Sequence, residues 1–253
     1  MAAASAARQK LRILCFGDSL TAGHSYFGTI YHPYVDKMAQ MVQMAFPDHE
    51  IITEVDGKPG DTVCRGFLER IERHFPSKEP TRYDWAIILG GTNDIAYAPT
   101  TSEIFEKLTE VWDVPLSKGC KVLALTVPGM LRAEKIVKKR SALNELIRGY
   151  KRDKLHVYDL YAALPSHQPS SPEEQKKYWD DDHVHFTPRG YDLIGNKVGM
   201  ALVSILVKQR VTDLPPAKRR RVFRNDDKVF DEETGDPTSI DQGYVIVRRT
   251  DLD

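Results

Sequence analysis

The stretch LRILCFGDSLT, residues 11–21, carries the two readings on which the fold turns. Its first half, Leu11–Gly17, is almost continuously apolar, rich in Leu and Ile, and closed by glycine. A run of that length and character reads as a strand buried on both faces, as in a parallel sheet. Its second half, Asp18-Ser19-Leu20-Thr21, turns polar at once, which sets a hydroxyl at a strand-to-helix turn, where the helix dipole favours developing negative charge. A plain helix N-cap accounts for the same serine.

Four further runs repeat the pattern: Glu50–Val55, Trp85–Gly91, Val122–Pro128 and His156–Leu160. Helical spacings separate them. Pro33 opens one helix with Tyr34, Met38, Met41 and Ala45 on a face, and Asp61-Thr62 caps a second that carries Val63, Phe67, Leu68 and Ile71. Ser102 with Glu103 opens a third, Ala133 to Tyr150 supplies a fourth, and Pro188 starts a last one bearing Leu193, Ile194, Val198 and Leu202. Strands alternating with helices imply right-handed βαβ units, hence an α/β fold built as a three-layer α/β/α sandwich.

Composition narrows the class. The 253 residues include 36 Lys+Arg and 36 Asp+Glu, and the absence of net charge argues against a dedicated nucleic-acid binder. Hydrophobic residues at 41% suffice for a full core, which excludes global disorder. The opening MAAASAARQK has no apolar core of the secretory type, and no run of about 18 apolar residues stands out as a membrane span. Cys15, Cys64 and Cys120 are odd in number and lack CxxC spacing, which suits reduced thiols and an intracellular, cytoplasmic setting. After Val211 the chain separates into a basic block, Lys218–Arg221, and an acidic one, Asp226–Asp236. The expected organisation is an N-terminal extension (1–10), one α/β domain (11–211) and a charged tail (212–253). Lys218–Arg221 reads either as a nuclear address or as an exposed charged linker, and Tyr244–Val247 as one short strand or docking segment.

Ligands of open α/β sheets sit at the carboxyl ends of strands, so the informative residues follow each run. These are Gly17-Asp18-Ser19-Leu20-Thr21, Gly57–Thr62, Gly90-Gly91-Thr92-Asn93-Asp94 and, before the last helix, Asp182-His183-Val184-His185-Phe186-Thr187. A serine nucleophile needs a base, and the base an orienting partner. Asp182 and His185, three apart, can share one turn, with the carboxylate on one ring nitrogen and the serine on the other. His183 competes for the role of base, and Asp180–Asp182 with His183 and His185 can also be read as metal ligands. An acyl-transfer site further needs donors aimed at an oxyanion: the Ser19 N–H, the Gly60 N–H and the Asn93 side-chain amide qualify.

Together these four ordered segments resemble the four blocks of the SGNH (GDSL) hydrolase superfamily, over roughly four-fifths of the chain. The resemblance implies a five-stranded parallel α/β/α sandwich that hydrolyses esters or thioesters through an acyl-serine, with no cofactor or metal. It implies Ser19 as nucleophile, His185 rather than His183 as base, Asp182 as its orienting residue, and Gly60 and Asn93 with Ser19 as the oxyanion hole. Asp18 and Asp94 fall inside matched blocks as supports for loop backbone. The expected partner is a small or short-chain ester, with a thioesterase or lysophospholipase as variants and a non-catalytic binding protein as the alternative of another class. His24, Tyr26, Phe27 and Tyr31 can line an acyl or alcohol pocket or simply pack a long loop. Arg132 can meet an anionic alcohol portion.

Overall fold

Five strands form where the sequence sets apolar side chains on two faces at once. A computed structural model describes residues 8–97, 100–129, 134–165 and 172–213. Its main strands are β1 (Gln9–Gly17), β2 (His49–Gly57), β3 (Trp85–Leu89), β4 (Lys121–Leu125) and β5 (Leu155–Tyr158). All pair in parallel, in the order β2-β1-β3-β4-β5. On β1, Leu14 and Phe16 join one core with Phe67, Ile71, Ile104, Leu108, Trp112, Leu143 and Ile147. Ile13 and Cys15, one step out of phase, are equally buried on the opposite face. Apolar residues at both phases of the pleat explain why these runs do not alternate in polarity.

The helices are α1 (Ser19–Ala22), α2 (Tyr34–Ala45), α3 (Leu68–His74), α4 (Thr92–Tyr97), α5 (Thr101–Ser117), α6 (Glu134–Gly149), α7 (Leu160–Ala163), α8 (Pro172–Tyr178) and α9 (Pro188–Asp213). Residues of α3, α5 and α6 fill the core on the Leu14 and Phe16 side. Helices α2 and α9 approach each other closely because of Gly195, where a Cβ would lie 2.4 Å from the Tyr34 carbonyl. The expected α/β/α sandwich and its five-stranded parallel sheet are both present, and the short helices α7 and α8 are additional.

Two helix starts differ from the sequence reading. Helix α5 begins one residue earlier than Ser102, because Thr100 closes a capping box with Glu103: Glu103 N–H donates to Thr100 Oγ1 at 3.2 Å and Thr100 N–H to the Glu103 carboxylate at 3.1 Å. Asp61 and Thr62 make no side-chain cap. The Val63 and Cys64 N–H groups, which begin a wide turn leading into α3, donate instead to Asp94 at 2.9 and 3.0 Å.

The last helix corrects another expectation. Between Gly190 and Val207 only Asp192 and Lys197 are charged, and the helix from Pro188 to Arg210 is long and apolar enough to cross a membrane by length and composition. Its apolar side is committed elsewhere, since Tyr191, Ile194, Val198 and Leu202 are fully buried in the core. The chain divides into Met1–Ser204 and Ile205–Asp253, and of the second unit only the end of α9 is described. Arg132, Lys218–Arg221 and Tyr244–Val247 lie outside the described residues.

The sheet places the site. From β1 the chain steps outward to β2 and then crosses back to β3, so the winding reverses between β1 and β3. Gly17 stands in register with Gly57 on one side and Leu89 on the other. The loops that carry Ser19, Gly60 and Asn93 therefore leave the sheet at one level.

Candidate active site

Ser19 begins α1 and is 4% exposed. The preceding residue, Asp18, is the true N-cap, its carboxylate accepting from the Leu20 N–H at 2.9 Å. Ser19 is thus released from the capping role, and its hydroxyl meets His185 Nε2 at 2.8 Å. Because α1 is one turn long, it offers individual N–H groups rather than the field of a long helix. The Ser19 N–H itself donates to no group among the described residues.

The partner loop, between α8 and α9, is folded by its own carboxylates. Asp182 accepts from the N–H groups of Val184 and His185, both at 2.9 Å, through one oxygen, and through the other meets His185 Nδ1 at 2.5 Å. Burial alone raises the Asp182 carboxyl, but the hydrogen bonds from the His185 ring, its N–H and the Val184 N–H outweigh it, and the group sits below the ordinary carboxylate value. An ionised Asp182 fixes a proton on Nδ1 and leaves Nε2 as acceptor toward Ser19. Thr187 ends the loop, its hydroxyl accepting from the Gly190 N–H at 3.2 Å just ahead of Pro188 at the head of α9.

His183 takes no part in this chain. It adopts a left-handed backbone (φ 60°), and its Nδ1 is buried without a hydrogen bond. Asp180 is engaged elsewhere, one oxygen accepting from the Tyr26 N–H at 2.5 Å and the other from the Asp181 N–H at 2.7 Å. Among the described residues no cluster of three or more His, Cys, Asp or Glu side chains is arranged to hold a metal ion.

Gly60 lies in a Lys58-Pro59-Gly60-Asp61 turn closed by the Asp61 N–H to the Lys58 carbonyl at 3.1 Å. Proline followed by a glycine at φ +76° is the type II pattern, which leaves the glycine N–H outside the turn's own hydrogen bond. Open space surrounds the position of a Gly60 Cβ. Asn93, in the first turn of α4, donates one amide hydrogen to the Asp61 carbonyl at 2.8 Å. A primary amide has two, so the other remains for a ligand.

Beneath these loops lies an ion pair that the sequence reading missed, that of Arg70 with Asp56. Arg70 donates to the Gly17 carbonyl at 2.6 Å, the Asp56 carbonyl at 2.9 Å and Asp61 Oδ2 at 3.0 Å, and pairs with the Asp56 carboxylate. It joins the ends of β1 and β2 to the Gly60 turn. Its partners lie 9 to 53 positions away, so no local pattern announces it. Asp18 and Asp94 are both buried, and both bond loop N–H groups. Burial, opposed by the Leu20 N–H and reinforced by Asp94, pushes Asp18 up to about 7. All three thiols are pushed up to about 12, chiefly by burial, so none competes with Ser19 as a nucleophile near neutral pH.

An acidic group, an imidazole and a serine hydroxyl are thus joined in sequence at the switch point of a parallel α/β/α sheet. Residues 15–193 match the GDSL-like Lipase/Acylhydrolase family, and the chain belongs to that family. Solved structures share the fold. A lipase/acylhydrolase from Enterococcus faecalis aligns at TM-score 0.57 with 24% identity, over 77% of this chain and 96% of its own. A carbohydrate acetylesterase family member from Sinorhizobium meliloti gives 0.56 and 17%, over 78% and 99%. An alpha/beta hydrolase enzyme from the Lake Arreo metagenome gives 0.60 and 16%, over 78% and 96%. A search of curated protein sequences gives no match.

Proposed function

We propose that the protein is a serine ester hydrolase acting through an acyl-serine intermediate on small or short-chain esters. The observation that carries this reading is the continuous chain Asp182–His185–Ser19, with links of 2.5 and 2.8 Å. His185 Nε2 takes the hydroxyl proton as Ser19 Oγ attacks the ester carbonyl, and the ionised Asp182 stabilises the imidazolium that forms. The oxyanion then accepts from the Ser19 and Gly60 N–H groups and the spare Asn93 hydrogen, donors each worth about 10²–10³ in rate. His185 returns the proton to the departing alcohol, and water repeats the sequence on the acyl-enzyme. With two residues in sequence between β3 and α4 and eight between β4 and α6, no long insertion follows either strand, which favours small substrates over ones that need a lid. The same reading sets the enzyme inside the cell, in keeping with three cysteines that are all free.

Hydrolysis of p-nitrophenyl acetate by the wild type and its abolition in Ser19→Ala, with an unchanged thermal melt, is the expected result. Activity retained by Ser19→Ala overturns the assignment.

A further inference from the structure

The loop between α1 and α2 departs from the economy of the rest of the fold. His24–Ser25 and Ile30–Tyr31 pair as a two-stranded ribbon. At its tip Tyr26 and Phe27 both take left-handed backbone angles, φ 47° and 56°. For residues with a Cβ that conformation is disfavoured, and strain of this kind collects at ligand clamps and active sites. The loop also leaves Phe27 80% and Tyr31 56% exposed, beside partly exposed Tyr26 and Ile30. Among the described residues, every large exposed aromatic side chain (Tyr26, Phe27, Tyr31, Tyr97, Tyr161) follows the carboxyl end of a strand, on the edge that carries the site.

The strained tip is held against the loop that carries the base. Tyr26 N–H donates to Asp180 at 2.5 Å, Ser25 Oγ to the Phe186 carbonyl at 2.8 Å, and Tyr191 Oη to the His24 carbonyl at 2.7 Å. From the base outward the rings form a short stair. His24 lies 4.4 Å from His185 between ring centroids, and Tyr31 stands edge-on to His24 at 5.7 Å. Residues 24–31 contain no Lys, Arg, Asp or Glu, so the loop itself supplies no charged side chain of those types.

We propose that the His24–Tyr31 loop is a binding ledge for an aromatic ring in the alcohol portion of the substrate. This rests on the ester-hydrolase reading above. The side is set by proton traffic: as the tetrahedral intermediate collapses, its bond to the alcohol oxygen breaks, and the proton held on His185 Nε2 passes to that oxygen. The acyl group stays on Ser19. The alcohol thus departs on the His185 side, where the stair begins, while the Gly60 and Asn93 donors lie on the loops after β2 and β3. The ring selects by edge-to-face contact, for which Tyr31 on His24 is the internal precedent.

Benzyl, cyclohexylmethyl and ethyl acetate test this, because all three give the same acetyl-enzyme and differ only before the alcohol leaves. The wild type is expected to show a kcat/KM for benzyl acetate about tenfold above those for the other two. In Phe27→Ala/Tyr31→Ala, with its melting temperature recorded alongside, the ratio of benzyl to cyclohexylmethyl is expected to fall to about one; the single Tyr31→Ala variant serves if the double variant does not fold. Equal rates for the two ring esters in the wild type, or a ratio that survives in a folded variant, overturn the ledge. Wild type no faster than Ser19→Ala on all three esters overturns the hydrolase reading, and the ledge with it.

Discussion

Replacing Asp182 by asparagine separates the orienting of His185 from the folding of its loop. In the native loop one carboxylate oxygen holds the Val184 and His185 N–H groups, both at 2.9 Å, and the other meets His185 Nδ1 at 2.5 Å. Asparagine keeps one oxygen, and two backbone donors claim it. Its NH₂ group is then turned toward Nδ1, which must become an acceptor. The ring proton moves to Nε2, whose N–H points at Ser19 Oγ and cannot take a proton from it. A base in the wrong tautomer costs about 10⁴ in kcat, or roughly 5 kcal/mol in the barrier. The loop survives, because its N–H groups remain bonded. Asp182→Ala, by contrast, orphans both and lowers stability by about 1–3 kcal/mol for each group left buried. Initial rates on p-nitrophenyl acetate and thermal melts, measured on both variants, form the assay. An Asp182→Asn enzyme that retains more than about a hundredth of wild-type kcat would refute the tautomer argument. An Asp182→Ala protein as stable as the wild type would refute the role of Asp182 in folding the loop.

Two further expectations concern the layer beneath the site. Asp18 is raised to about 7 by burial and by Asp94, against the pull of the Leu20 N–H. A carboxyl raised on folding contributes stability that is complete below its unfolded value near 4 and is lost as pH rises through about 7. Asp18→Asn removes that dependence, so its stability relative to wild type should climb by a few kcal/mol between pH 4 and 8, at about 1.4 kcal/mol per pH unit; parallel denaturation curves across that range refute the assignment. Arg70→Met strips the cation from Asp56 and Asp61, where the Arg70 and Asp61 side chains are only 12% and 8% exposed. The loss should be about 3–5 kcal/mol, seen as a melting temperature lower by about 10 °C, and a melt within a degree or two of wild type contradicts it.

The sheet was legible because strands buried on both faces leave a local trace. Leu11–Gly17, broken only by Arg12, and Trp85–Gly91 show it as apolar runs, and each became a strand within two residues of the expected limits. Asp182 and His185 were legible for the same reason, since three positions on one turn fix their meeting. What stayed hidden depends on contacts between distant segments. Asp61 looked like a cap, yet its carboxylate answers Arg70 and the N–H groups it should have capped answer Asp94. Nothing around Tyr26 and Phe27 declares a left-handed backbone, and the Tyr26 N–H is held by Asp180, more than 150 positions away. Helix α9 is apolar enough for a membrane by length and composition, and its pattern alone does not reveal that Tyr191, Ile194, Val198 and Leu202 are buried in the core.

The hidden contacts share one arrangement, which bears on how the site will respond to mutation. The Gly60 turn, the turn after Thr62 and the Tyr26 tip are each fixed by a group from a distant segment. Asn93 holds the Asp61 carbonyl, and Asp94, its neighbour, holds the turn after Thr62. Arg70 ties Asp61 and Asp56 to the Gly17 carbonyl, two residues before the nucleophile, while Asp180 grips the Tyr26 tip. Short connections at a switch point have few internal hydrogen bonds, so their shape comes from these cross-links rather than from local propensity. Groups in one network couple by about 0.5–3 kcal/mol instead of adding. Removing Arg70 therefore disturbs the Gly60 turn and the Ser19 turn through the same carboxylates, and an Arg70→Met/Asn93→Ala double variant should lose less than the sum of its parts, because both single changes release Asp61.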